Sequence, residues 1–336
     1  MSGLADDPDR RSRLLALTLQ ALARDNFGVS SFDAATGLTR GAAGTADNRA
    51  FVLVDDQPAR GLGAALAWAS RHEVDEVHLI ASSATGSLAR RATQFRSRVT
   101  VWHRDDRTLI EAVPEAFPEP REVPAEHLAF RDTIVEAGAR ASVEHGVLAG
   151  EVRGLEVCRA ITDPHTGAHR LEVGVGEHDR EAFGMLHGDT PTADSLRRIV
   201  RIVDAHRSPG ADPHPLNRLG AERSLRDRVI ADPSVVGLAS LDTAPPPTPR
   251  ANLKDPIPCV ARGLTTDGRE VVAVFSTGID LDVVPFAADA RLALCGGDLP
   301  NTDLVIVVPE RDASPVTTRL SERLVHPARI VGIRHP

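Results

Sequence analysis

The sequence predicts an α/β protein with two or three α/β regions built on central mixed or parallel sheets. Three observations carry this. Between residues 50 and 103, short β-rich runs alternate with helical stretches of about a dozen residues. Two hairpin patterns, at 155–175 and 259–276, are each followed by a helical segment. Leu304-Val305-Ile306-Val307-Val308 is apolar throughout and too short for an ordinary helix, as a strand buried on both faces should be.

Leu15, Leu19 and Leu22 repeat at helical spacing near the start. Arg10-Arg11 ahead of this stretch has the outline of a twin-arginine export signal. Asp6, Asp7 and Asp9, however, put acid where such a signal is basic, so the segment reads as an opening helix. A strand is expected at 50–54, a helix at 59–71 through Leu62, Leu66 and Trp68, a strand at 77–81, a helix at 84–95 and a strand at 99–103. Pro114, Pro118, Pro120 and Pro124 make 112–125 a linker. The second region reads as a helix at 127–148, strands at 155–161 and 171–175 around the turn residues Asp163 to Gly167, and a helix at 192–205 capped by Thr192. A helix at 216–230 follows, and Pro245-Pro246-Pro247-Thr248-Pro249 forms a stiff connector. The last region reads as a hairpin (259–264, 270–276), a helix at 284–294, a strand at 304–308, a helix at 317–324 and a strand at 328–333. The expected divisions are an N-terminal α/β domain at 1–111, a helix-plus-hairpin region at 125–208, a helix and Pro-rich connector at 209–258, and a C-terminal α/β region at 259–336. The second and last regions share a layout of hairpin, glycine-led turn and helix.

Composition removes several classes of function. With 42% apolar residues and a net charge of −8 over 336 residues, the chain is not disordered and is long enough for more than one core. Aromatics make up 3%, with no tyrosine, which argues against a stacking platform for single-stranded nucleic acid. Cys158, Cys259 and Cys295 lie far apart, which excludes a disulfide framework or a cysteine-built zinc site and suits a reducing cytoplasm. No apolar run reaches the ~20 residues of a membrane span.

Several constellations are candidates for chemistry. Glu156 and Glu172 fall in adjacent strands of the expected hairpin, with Glu144 and Glu151 close in sequence; paired carboxylates can share a metal or a proton, or can simply face water. His178, Asp179 and His187 supply nitrogen and oxygen donors suited to a transition metal, though at no standard spacing. Asp280 and Asp282 follow a strong strand and precede a helix, where α/β folds place ligand-binding groups; Asp282 serves equally as a helix cap. Asp289 and Arg291 on that helix can pair with each other or face the same pocket. Ser83 and Thr85, with Arg90 one turn on, offer an anion site at a helix N-terminus or an ordinary capped loop. Lys254 is the single lysine among 39 basic residues, and it provides an ammonium of adjustable pKa where arginine cannot. From Ser195 to Arg228, eight arginines face four acids, a balance of +4; from Glu111 to Glu156, ten acids face four arginines, a balance of −6. An arginine-rich helix can contact phosphates, while intramolecular pairing accounts for the same pattern.

The order hairpin, helix, strand, helix, strand over 259–333 resembles the core of the restriction-endonuclease-like, or PD-(D/E)xK, superfamily, and the second region resembles its front half. The resemblance implies acidic residues on adjacent strands that bind a divalent metal such as Mg²⁺ and activate water. The motif departs from the family pattern: Asp267 lies in the turn, Glu270 is followed by Val271-Val272, and Glu172 by Val173-Gly174, so neither acid-x-Lys is complete. The stretch Leu171-Glu172-Val173-Gly174-Val175-Gly176-Glu177-His178-Asp179-Arg180-Glu181-Ala182-Phe183 is similar to conserved proteins of high-GC actinobacteria, a likeness that implies no particular activity. The expected function is a cytoplasmic protein acting on nucleic acid or a nucleotide through a degenerate nuclease-like region, with Glu156, Glu172, Lys254, Glu270 and Asp280 as its catalytic candidates. The alternatives are a non-catalytic interaction or anion-binding protein and a metal-dependent hydrolase.

Overall fold

The computed structural model describes residues 8–176, 193–212, 214–249 and 257–334. It is an α/β protein with three sheets, and it divides into two compact units. One comprises Met1–Phe117, Ile279–Leu292 and Ser314–Arg329; the other comprises Pro118–Gly278, Ala293–Ala313 and Ile330–Pro336.

In the first unit, helix α1 (Pro8–Phe27) precedes strands β1 (Ala34–Leu38), β2 (Gly41–Ala46) and β3 (Arg49–Val54). Helix α2 (Leu62–Arg71), β4 (Glu76–Ala81), α3 (Thr85–Ala92), β5 (Arg98–Asp105) and β6 (Thr108–Glu111) follow. The six strands lie in sequence order; β3, β4 and β5 are parallel and the outer pairs antiparallel. Leu19 and Leu22 of α1 bury against Phe51, Leu53 and Ile80, the role that their helical spacing predicts. Phe27, Phe51 and Trp102 surround His78, whose Nδ1 accepts from Trp102 Nε1 at 3.1 Å. Strands β1 and β2 were not expected: their Ala-Gly-Thr composition carries little β signal. Pairing makes them strands, β2 against β3 and β1 against β2, and the left-handed Asp47-Asn48 (φ 51° and 58°) form the tight turn that joins β2 to β3. Helices α8 (Val283–Leu294) and α9 (Pro315–Glu322) lie late in the chain, but residues Ile279–Leu292 and Ser314–Arg329 belong to this unit.

In the second unit, α4 (Ala125–Leu128) and α5 (Arg131–Glu136) lead into the antiparallel meander β7 (Arg140–Glu144), β8 (Val147–Val152), β9 (Leu155–Thr162) and β10 (His169–Val173). The single helix expected at 127–148 is therefore corrected to two short helices and a hairpin. Gly138 (φ 91°) stops α5, with the Ala139 N–H returning to the Ile134 carbonyl, and His145-Gly146 (φ 49° and 79°) make the two-residue turn between β7 and β8. Helix α6 (Ala193–Arg207) covers the meander through Leu196, Val200 and Val203; Thr192, its expected cap, lies outside the described residues. The helix expected at 216–230 is also corrected. It is a short 3-10 turn (Pro215–Arg218) and then α7 (Ala221–Ala231), separated by Gly220 in the left-handed region.

The last sheet runs β11 (Leu238–Ala244), β12 (Cys259–Thr265), β13 (Glu270–Phe275), β14 (Thr302–Pro309) and β15 (Arg329–Ile333). Strands β11, β12 and β13 are antiparallel, and β13 and β14 are parallel. Leu225 and Val229 of α7 pack with Ala261, Val271, Ala273 and Phe275. Strand β11 falls inside the region expected as helix and connector. Its addition gives the last region the order helix, three antiparallel strands, helix, strand, helix, strand, which is the order of α1 to β5 as well. The fuller layout match therefore joins the first region to the last.

Candidate functional site

Helix α7 carries Arg223 and Arg226 on one face, three residues apart. It can reach the meander because Gly154, left-handed at φ 74° in the β8–β9 turn, lies against the Arg223 backbone; a Cβ there would stand 2.3 Å from the Arg223 carbonyl. Arg226 is 1% exposed and donates to Glu144 at 3.0 Å, to Glu151 at 3.1 Å and to the Val260 carbonyl at 3.3 Å. Arg223 meets Glu144 at 2.9 Å, Glu151 at 3.1 Å and Glu156 at 3.6 Å. Glu156 also accepts two hydrogen bonds from Arg159, at 2.9 and 3.0 Å. Burial alone would lower the Arg226 pKa, but the surrounding acids, Glu151 foremost, hold it above its ordinary value. The acid-rich and arginine-rich stretches of the sequence thus pair with each other, as Arg140–Asp227 and Arg153–Asp204 also show.

This arrangement bears on the implied Mg²⁺. The carboxylates that the structure does gather, Glu144, Glu151 and Glu156, share their pocket with Arg159, Arg223 and Arg226, one guanidinium for each acid. Their negative charge is already balanced and their oxygens are engaged by N–H donors, so these residues do not fit a hard divalent ion. Glu172 lies on β10 and pairs with Arg170 at 3.3 Å. Glu270 is exposed at the start of β13.

In the first unit, Arg60 donates to Asp280 at 2.6 Å, and Asp280 in turn accepts from the Asp282 N–H at 3.1 Å. Asp282 is buried and accepts from the Gly63 N–H at 3.0 Å. Position 63 must be glycine, because a Cβ would stand 2.2 Å from the Leu281 carbonyl. Burial pushes the Asp282 pKa up to about 6, with the nearby Asp280 adding to the rise and Arg91 and Arg60 opposing it. A raised carboxyl pKa contributes stability below the unfolded value, and that stability is lost as the pH rises through the folded value. Asp282→Asn, which keeps an acceptor for Gly63, is therefore expected to exceed wild type in stability by on the order of 1–2 kcal/mol at pH 7.5. The gap should close as the pH falls to 4. Urea unfolding across that range checks this, and a gap that ignores pH would refute it.

Arg90 and Arg91 converge on Asp289, which is 0% exposed. Arg90 reaches it at 2.8 and 3.1 Å and Arg91 at 3.1 Å. Arg90 also donates to the Glu115 and Ala116 carbonyls and stacks on Phe117. Of the expected anion site, Ser83 is exposed before α3 and Thr85 begins that helix, but Arg90 points its donors into this buried pair. Asp289 thus pairs with arginines of α3, while Arg291 donates to the His326 carbonyl at 2.7 Å.

A cleft of about 470 Å³ lies between α2 and α9. Leu38, Ala64, Ala67, Leu281, Val316 and Leu320 give it an apolar floor, Trp68 a half-buried ring, and Arg71, Arg319 and Arg323 a cationic rim. Arg323 is anchored by Asp75 and by the hydroxyls of Ser70 and Ser97. Arg71 and Arg319 are exposed and make no hydrogen bond or ion pair among the described residues.

His178, Asp179, His187 and Lys254 lie outside the described residues, so Asp280, Glu156, Glu172 and Glu270 are the catalytic candidates that can be placed. Asp280 is in the first unit and the three glutamates are in the second. Among the described residues, no group of three or more His, Cys, Asp or Glu is placed to hold a metal ion, and no helix is long and apolar enough to cross a membrane. In the sequence Trp68 marks a helix position and not a site, and Arg71 and Arg319 carry no signal beyond that of cationic residues flanking apolar helix faces. Comparison with protein-family models, curated proteins and solved structures finds no match for the chain.

Proposed function

We propose that this is a cytoplasmic, non-catalytic anion-binding protein in which the nuclease-like layout is a scaffold and its carboxylates serve as ion-pair partners. One observation carries the reading: Arg71 and Arg319 border the same cleft with no acid paired to them among the described residues, whereas the carboxylate clusters elsewhere are matched by arginines. A concave, partly apolar wall strengthens the attraction of such guanidiniums for an anion, and their forked donors suit carboxylate and phosphate oxygens.

Isothermal titration with phosphate and citrate at low salt tests the proposal. Wild type is expected to bind, with affinity falling as salt rises. The Arg71→Ala/Arg319→Ala double variant should bind at least tenfold more weakly. Incubation with DNA or RNA and Mg²⁺ or Mn²⁺ should give no cleavage. Equal binding by wild type and the double variant, or cleavage abolished by Glu156→Gln, would overturn it.

A further inference from the structure

Helices α3 and α9 end on a reciprocal pair of backbone hydrogen bonds. The Arg96 N–H donates to the Arg323 carbonyl at 3.0 Å, and the Val325 N–H donates to the Gln94 carbonyl at 2.9 Å. Gln94 and Arg323 therefore hold matching positions, and so do Arg90 and Arg319, each four residues earlier. A second match links α2 to α8: Trp68 and Asp289 are each the seventh residue of their helix.

The two matched places differ in what meets the arginine. Arg90 receives the Asp289 carboxylate and the carbonyls of Glu115 and Ala116, and its guanidinium lies 4.1 Å from the centre of the Phe117 ring. Arg90 thus shows what an arginine at this position takes: an anionic group and an apolar ring beside it. At the matching place Trp68 stands where the acid would be, and Arg319 lines an apolar cleft with Arg71. Resting on the anion-binding reading, we infer that the cleft recognises an amphipathic anion, with a carboxylate or phosphate head on Arg319 and Arg71 and an acyl or aryl body on Trp68, Leu281 and Leu320. The charge lacking from the wall comes from the head, and the apolar floor rewards a body that an inorganic anion does not have.

Titration with decanoate, phenyl phosphate, inorganic phosphate and decanol separates the contributions. Decanoate or phenyl phosphate should bind at one site at least tenfold more tightly than inorganic phosphate, and decanol should bind more weakly than decanoate. Which of the two anions binds better identifies the head and body. Arg319→Ala should weaken binding at least tenfold and Arg319→Lys less, with melting temperatures unchanged. Trp68→Phe should remove the change in tryptophan fluorescence on binding. Inorganic phosphate binding as tightly as both amphiphiles would overturn this inference while leaving the anion-binding reading standing. Amphiphile binding that ignores Arg319→Ala would place the ligand elsewhere, and no binding by any anion would overturn both.

Discussion

Arg226→Met should cost the second unit about 3–5 kcal/mol, the range for removing one partner from a buried ion pair. The side chain is 1% exposed, and its donors reach Glu144, Glu151 and the Val260 carbonyl. Methionine fills much of the volume, so the loss is not chiefly a cavity effect. It comes from leaving Glu144 and Glu151 in a low-dielectric pocket without one of their paired cations, while Arg223 still meets both. Glu151→Met on the same background should recover part of the loss, because the stranded charge goes with it. Urea unfolding of the two single variants and the double variant measures the coupling. A single-variant loss under about 1 kcal/mol, or a double-variant loss equal to the sum of the singles, would show that the network does not act as a unit.

Elements with a strong local signal were legible in the sequence, and elements made by their surroundings were not. Leu304 to Val308 is a continuous apolar run and Val77 to Ala81 is apolar apart from His78, and both are central parallel strands. Strands β1 and β2 consist of Ala, Gly, Thr and Leu and become strands only by pairing, β2 beside β3 and β1 beside β2. The β7–β8 hairpin was hidden because its turn uses His145-Gly146 in place of an asparagine–glycine pair, and because Arg140 to Val152 mixes charged and apolar residues without clear alternation. The site follows the same division. The clustering of Glu144, Glu151 and Glu156 was visible as sequence proximity, but of the arginines that neutralise them Arg159 alone is local; Arg223 and Arg226 arrive from α7, roughly 70–80 positions along the chain. Asp280 and Asp282 were recognisable as a strand-end pair, whereas their partners Arg60 and Gly63 come from more than 200 positions earlier. Local spacing says which residue types are available; the fold decides which opposite charge reaches them.

Asp289→Ala should be the most damaging single change in the first unit, with an expected loss of about 3–5 kcal/mol. Two arginines of α3, both about 5% exposed, share this one carboxylate. Its removal leaves two guanidiniums close together without the acid between them. Arg91 keeps the Ala59 carbonyl, and Arg90 keeps the two carbonyls of 115 and 116, the Phe117 ring and the Glu115 carboxylate at 3.6 Å, but that carboxylate is 55% exposed and does not replace a fully buried acid. Asp289→Asn keeps the shape and one acceptor oxygen, so it should cost less than alanine and separates the charge from the packing. Hydrogen exchange should accelerate at Leu88 and Thr93, whose N–H groups bond within α3 and at its end. Exchange in the β9–β10 hairpin, which belongs to the other unit, should change little. An alanine variant as stable as wild type, or exchange that rises equally in both units, would mean that the pair of arginines is held by its backbone carbonyls and not by the carboxylate.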